Sequence, residues 1–104
     1  MIELTSKQRK ELEKAAHDLQ PVVIVGGAGV TDGVTKMVDD SLAAHELIKI
    51  KFNEYKDEKV ELTNQLCEDC DATLVRIIGN VAILFREKPE EDEYVILKIV
   101  GKKA

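Results

Sequence analysis

The chain has 104 residues, 44% of them hydrophobic and 34% charged, which is enough for one domain with a real core and too few for two ordinary ones. No apolar run reaches the roughly 20 residues a membrane span needs, and the N-terminus has no secretory stretch, so a cytoplasmic domain with no membrane partner is expected. The net charge of -5 counts against a polyanionic partner, yet residues 53–71 hold seven acids and two bases and residues 87–104 five acids and four bases, leaving eight acids against nine bases elsewhere.

From the start of the chain, Thr5 or Ser6 can cap a helix running to about Asp18, with Leu12, Ala15, Ala16 and Leu19 as its buried stripe. Lys7, Lys10 and Lys14 then share the opposite face, with Arg9 on its flank. By itself such a ridge is more often a solvated helix face than a binding surface. Pro21 ends the helical stretch, and Val22 to Val25 read as a buried strand.

Gly26-Gly27-Ala28-Gly29 follows the strand directly, and Thr31 is a plausible N-cap for the next helix. A glycine loop at a helix entrance presents unpaired N–H groups at the positive end of the helix, which suits an anion such as phosphate. The common nucleotide loops do not match. A Walker loop needs Lys and then Ser or Thr after its last glycine, whereas Gly33 precedes Val34 and Thr35. The dinucleotide fingerprint, counted from Gly27, needs a glycine where Asp32 stands. A Gly-x-x-Gly tetrapeptide remains, of the kind KH modules use to clamp a nucleic-acid backbone, although in those it joins two helices.

The second helix is predicted from Thr31 or Asp32 to about His45, burying Val34, Met37, Val38, Ser41 and Leu42, with His45 near the buried side of its end. Leu47 to Phe52 alternates as a strand, with Ile48, Ile50 and Phe52 on one face and Lys49, Lys51 and Leu47 on the other. Residues 57 to about 70 form a third amphipathic helix that buries Leu62, Leu66, Cys67 and Cys70. Thr73 to Ile78 and Val81 to Phe85 read as a hairpin about Gly79-Asn80. Right-handed crossovers make the first three strands parallel, and the apolar fourth returns antiparallel into a slot between the second and third.

Cys67 and Cys70 have the spacing of half a zinc site, but the chain has no second cysteine pair and its two histidines lie far apart. They read as core residues, and no metal or other cofactor is expected. Asp39 and Asp40 are adjacent, so they diverge on a helix and make no catalytic pair; with no nucleophile and base in evident array, no enzymatic activity is expected. After Arg86 an acidic linker leads to Tyr94 to Val100, too apolar to stay in water, which would dock as an edge strand or against a partner chain.

Leu4 to Arg9, Pro21-Val22-Val23, Gly26-x-x-Gly29-Val30-Thr31-Asp32-Gly33-Val34 and His45-Glu46-Leu47-Ile48-Lys49-Ile50-Lys51 together resemble a CRM domain of the YhbY type, in order, over residues 4–86. The resemblance implies an RNA-binding domain over 1–86, an extension over 87–104, and an α+β two-layer fold. That fold is a mixed four-stranded sheet with three helices in the order α-β-α-β-α-β-β, similar to the C-terminal domain of translation initiation factor three. Family members bind RNA, and the free-standing bacterial and archaeal forms are linked to precursors of the large ribosomal subunit. The expected partner is therefore ribosomal RNA of that precursor, with self-association through 94–100 as a further expectation.

Carried onto this chain, the resemblance places RNA at Gly26, Gly27, Ala28, Gly29 and Thr31 and along Lys7, Arg9, Lys10 and Lys14, with Lys49, Lys51 and Arg86 as further basic candidates. Relatives often carry a polar residue in the middle of the loop, where this chain has Gly27 and Ala28 and so only backbone groups. Two readings from other classes stand beside this one. One is a small nucleotide-binding protein using the loop, and the other an interaction adaptor using the acidic third helix and the apolar tail.

Overall fold

A capping box starts the first element. Thr5 accepts the Gln8 N–H while the Gln8 side chain accepts the Thr5 N–H, and helix α1 runs from Ser6 to Ala16. The computed structural model describes residues 3–87. After α1 come β1 (Val23–Val25), α2 (Asp32–His45), β2 (Leu47–Phe52), a single 3₁₀ turn (Lys56–Glu58), α3 (Lys59–Cys70), β3 (Thr73–Ile78) and β4 (Val81–Phe85). The class, the element order and the complement of three helices and four strands are those the sequence implied. The extension expected over 87–104, with its docking segment at 94–100, lies outside the described residues apart from Glu87.

The strands lie in the order β1-β2-β4-β3, with β1 and β2 parallel and β4 antiparallel to both its neighbours. So β4 fills the slot predicted for it, and its Ala82, Ile83, Leu84 and Phe85 are all buried. The β3–β4 turn has Gly79 at a φ of +58° with Ile78 paired to Val81, a two-residue hairpin with glycine at the first central position.

Alternation on the strands builds two cores, one on each face of the sheet. Ile48, Ile50, Phe52, Val23, Val25, Ala82 and Leu84 pack under Val38 and Leu42 of α2 and Leu66, Cys67 and Cys70 of α3. Leu47, Val75, Ile83 and Phe85 pack on the other face under Leu12 and Ala16 of α1. The helices therefore divide two and one, and α1 adds a partial third layer to the two-layer arrangement expected. Leu47, which shares the lysine face of β2, joins Val75, Ile83 and Phe85 in giving α1 an apolar surface to cover.

The predicted stripes need three corrections. Leu19 lies past the helix end and is exposed, Met37 is exposed on α2, and His45 is exposed rather than turned to the core. Cys67 and Cys70 are buried and unbridged, and burial, with Cys70 beside it, pushes the Cys67 thiol up to about 11. Among the described residues no cluster of His, Cys, Asp and Glu is arranged to hold a metal ion, and no helix is long and apolar enough to cross a membrane.

Candidate nucleic-acid interface

The Gly26–Gly29 loop leaves the C-terminal end of β1, at the same end of the sheet as the β3–β4 turn. The carbonyl of Val25 accepts the N–H groups of Asn53 and Glu54, and the N–H of Phe52 donates to Asn80, which fixes three connections at one rim. Within the loop the Gly29 N–H closes a turn onto the Gly26 carbonyl at 3.0 Å. Gly29 has a φ of +76°, and a Cβ there would meet the Tyr55 ring at 3.3 Å. Two constraints, one of conformation and one of space, thus require glycine at this position.

Tyr55, itself left-handed at a φ of 59°, is the support for the loop: its hydroxyl donates to the Gly27 carbonyl at 3.0 Å while its ring covers Gly29. With that carbonyl held by Tyr55, the Ala28 N–H of the same peptide points the other way; Gly27 and Ala28 are both exposed, and among the described residues neither N–H has an intramolecular partner. Thr31 then caps α2, accepting the Val34 N–H at 3.2 Å. Free amides and the positive end of a 14-residue helix therefore lie within a few residues of each other.

Acidic groups flank this entrance. Asp32 occupies the first turn of α2. An open cleft of about 760 Å³ beside Gly27 is lined by Asn53, Glu54, Tyr55, Lys56, Asp57 and Glu58, three of them carboxylates. A phosphate approaching through that cleft meets net negative charge, so the favourable side of the loop is the one turned from it.

Residues 4–86 match the CRS1/YhbY (CRM) domain. The chain belongs to this family. A Pseudomonas aeruginosa protein named "Probable RNA-binding protein" is 35% identical over 91 residues, covering 86% of this chain and 88% of its own length. A Methanocaldococcus jannaschii protein named in the same words is 38% identical over 99 residues, covering 91% of this chain and 72% of its own. The solution structure of a Staphylococcus aureus protein matches with a TM-score of 0.73 at 34% identity, covering 88% of this chain and 95% of that one.

The candidate basic residues of this CRM domain separate into two groups. Lys7, Lys10 and Lys14 are exposed along the outer side of α1, none in an ion pair among the described residues, and Lys51 is exposed on the α1 face of the sheet. The others are engaged inside the fold. Arg9 donates from one nitrogen to the carbonyls of Leu74 and Val75 at 2.7 and 2.6 Å. These flank the β-bulge where pairing with β4 jumps from Leu74 to Arg76, so Arg9 satisfies carbonyls at an irregularity in β3.

Arg86 ties three elements together. It donates to the Asp39 carboxylate and to the Cys70 carbonyl at 2.7 Å each, and to the Asp39 carbonyl at 3.1 Å. Lys49 donates to the carbonyls of His17 and Leu19 at 3.2 and 3.1 Å, neutralising the negative end of α1. Arg9 and Arg86 thus each hold parts of the fold together, and Lys49 is largely occupied at the end of α1. Sequence reasoning missed Tyr55 altogether; its only signal was an aromatic residue in an otherwise polar, charged connection, Asn53 to Glu58.

Proposed function

We propose that this CRM domain is a non-catalytic RNA-binding protein that grips a sugar-phosphate backbone with the Gly26–Gly29 loop and the entrance of α2. The exposed, unpartnered amides of Gly27 and Ala28, in a chain whose relatives are named as RNA-binding proteins, carry this reading. Lys7, Lys10, Lys14 and Lys51 supply the cationic groups that track adjoining phosphates. With no side chain at Gly27 or Ala28 beyond a methyl, the loop has nothing to read a base edge, so recognition depends on RNA shape and context. The proposed setting is cytoplasmic maturation of the large ribosomal subunit, with its precursor RNA as the partner. A mononucleotide is disfavoured, because the cleft beside the loop is lined with carboxylates.

The test is RNA binding across a salt series. Four lysine contacts give a slope of roughly -3 on single-stranded RNA, at about 0.7 per contact, and replacing Lys7, Lys10 and Lys14 with alanine takes away roughly 2 of that. Gly27→Asp places a carboxylate against the phosphate, and since a Cβ at Gly27 meets no atom within 4 Å the variant has room to fold. Its affinity falls more than tenfold with an unchanged melting temperature. Full RNA affinity in both folded variants removes the proposed surface.

A further inference from the structure

The α1 face of the sheet is only partly covered. Strand pairing sets Ile24 of β1 beside Lys51 of β2, Lys51 opposite Val81 of β4, and Val81 opposite Ile78 of β3. In β2, β4 and β3 these residues alternate with the ones packed under α2 and α3, so all four side chains rise from the α1 side. α1 covers the sheet further along, at Leu47, Val75, Ile83 and Phe85, and does not reach this row. Ile24 and Ile78 remain 55% and 53% exposed, among the most exposed large apolar residues described. Ile24 and Ile78 stand at the two ends of the row, on the edge strands, with Lys51 and Val81 between them.

The row lies directly below the rim that carries the glycine loop, since Ile24 is two residues before Gly26 and the Phe52–Asn80 hydrogen bond holds the hairpin turn there too. We infer that this row is a platform for unpaired nucleobases, so that the RNA taken by this domain is single-stranded where it crosses the Ile24–Lys51–Val81–Ile78 row. The inference rests on the RNA-binding reading and specifies the form of the RNA. Three observations favour this occupant. Four adjacent strands span roughly 14 Å, enough for about two bases lying against the aliphatic side chains. Lys51 is the row's single charged residue and is cationic, so a strand whose bases face the row has a phosphate partner beside them. The loop amides at the rim then take the next phosphate along the same strand. A second copy of the chain fits poorly, because the row it presents has no acidic residue to pair with Lys51.

A duplex cannot satisfy this geometry, since its base faces are stacked and closed to side chains. The experiment measures binding of a single-stranded oligonucleotide and of a duplex of equal length to the natural protein, to Gly27→Asp and to an Ile24→Thr/Ile78→Thr double variant. Threonine keeps the strand preference, and circular dichroism and melting check the fold. The expected result is tighter binding of the single strand, weakened about fivefold by the threonines with no change in salt slope, because the lost contacts are apolar. Equal or tighter duplex binding, or a double variant that binds the single strand as well as the natural protein, overturns the platform even if Gly27→Asp abolishes binding. A concentration-dependent dimer that the threonines dissociate, seen by sedimentation, assigns the row to self-association and overturns it too. Failure of Gly27→Asp to weaken any RNA counts instead against the loop, whatever the threonines do.

Discussion

Two glycine turns sit at one end of this sheet and behave oppositely. At Gly79-Asn80 the carbonyl side of the turn faces outward and draws a cation, with the Lys59 ammonium 2.6 Å from the Gly79 oxygen and 3.2 Å from the Asn80 side-chain oxygen. At Gly26–Gly29 the Gly27 carbonyl is held by the Tyr55 hydroxyl at 3.0 Å, so the Ala28 N–H of the same trans peptide points the opposite way, and among the described residues it has no intramolecular partner. Glycine alone decides neither outcome. The direction of the peptide dipoles does, and a residue distant in sequence fixes that direction in each case.

The comparison breaks most severely at Gly29. Gly29→Ala puts an L-residue at a φ of +76° and pushes a methyl against the Tyr55 ring, so a loss of about 2 kcal/mol in a denaturant titration is expected, together with weaker RNA binding. Tyr55→Phe, which keeps the ring and removes only the bond to Gly27, costs less in stability, about 1 kcal/mol, and frees the loop to turn. Stability and affinity falling together in both variants identifies Tyr55 as what sets the loop's polarity. Natural affinity in a folded Tyr55→Phe shows that the amides face outward without it.

Arginine against lysine is the same contrast at the level of side chains. Arg86→Ala removes three hydrogen bonds that join β4 to α2 and α3, and Arg9→Ala strips two bulge carbonyls of their donor. Each is expected to cost about 2 kcal/mol of stability and to leave the salt slope of RNA binding where it was. The lysine triple variant is the mirror image, altering the slope and sparing the melting temperature. An arginine variant that lowers the slope at full stability reverses the assignment.

Much of this was written locally in the chain. The strand, glycine loop and capped helix of residues 22–45 follow from β-branched residues, glycine spacing and Thr31, and the hairpin and the slot for β4 follow from Gly79 and from a strand apolar on both sides. The roles of the arginines were hidden because all but one of their partners are backbone carbonyls, which no residue type announces, as far as 66 positions away, and the exception, the Asp39 carboxylate, lies 47 positions from Arg86. The side of the sheet taken by α1 follows from Leu47, Val75, Ile83 and Phe85 together, which come to one face only once β2, β3 and β4 are paired. Lys51 and Lys49 are two residues apart on the same face, yet Lys49 is drawn to the end of α1 while Lys51 stays outside its reach. Periodicity puts both on one side and goes no further.

The smallest expected effect concerns what surrounds the loop. Glu54 and Asp57 line the cleft beside Gly27 and are exposed, so each repels a nearby phosphate only through screened, high-dielectric contact. Neutralising both, as Glu54→Gln with Asp57→Asn, should raise RNA affinity about threefold at low salt, with the gain shrinking as salt is added. Neither has an ion pair among the described residues, so the fold has little at stake in the exchange. The matching change beside the other turn, Lys59→Gln, removes a cation that is already satisfied by carbonyl and amide oxygens and should leave RNA affinity within twofold. If the Lys59 variant moves affinity more than the double neutralisation does, the two turns do not differ in the way their dipoles imply, and RNA is held at the hairpin instead.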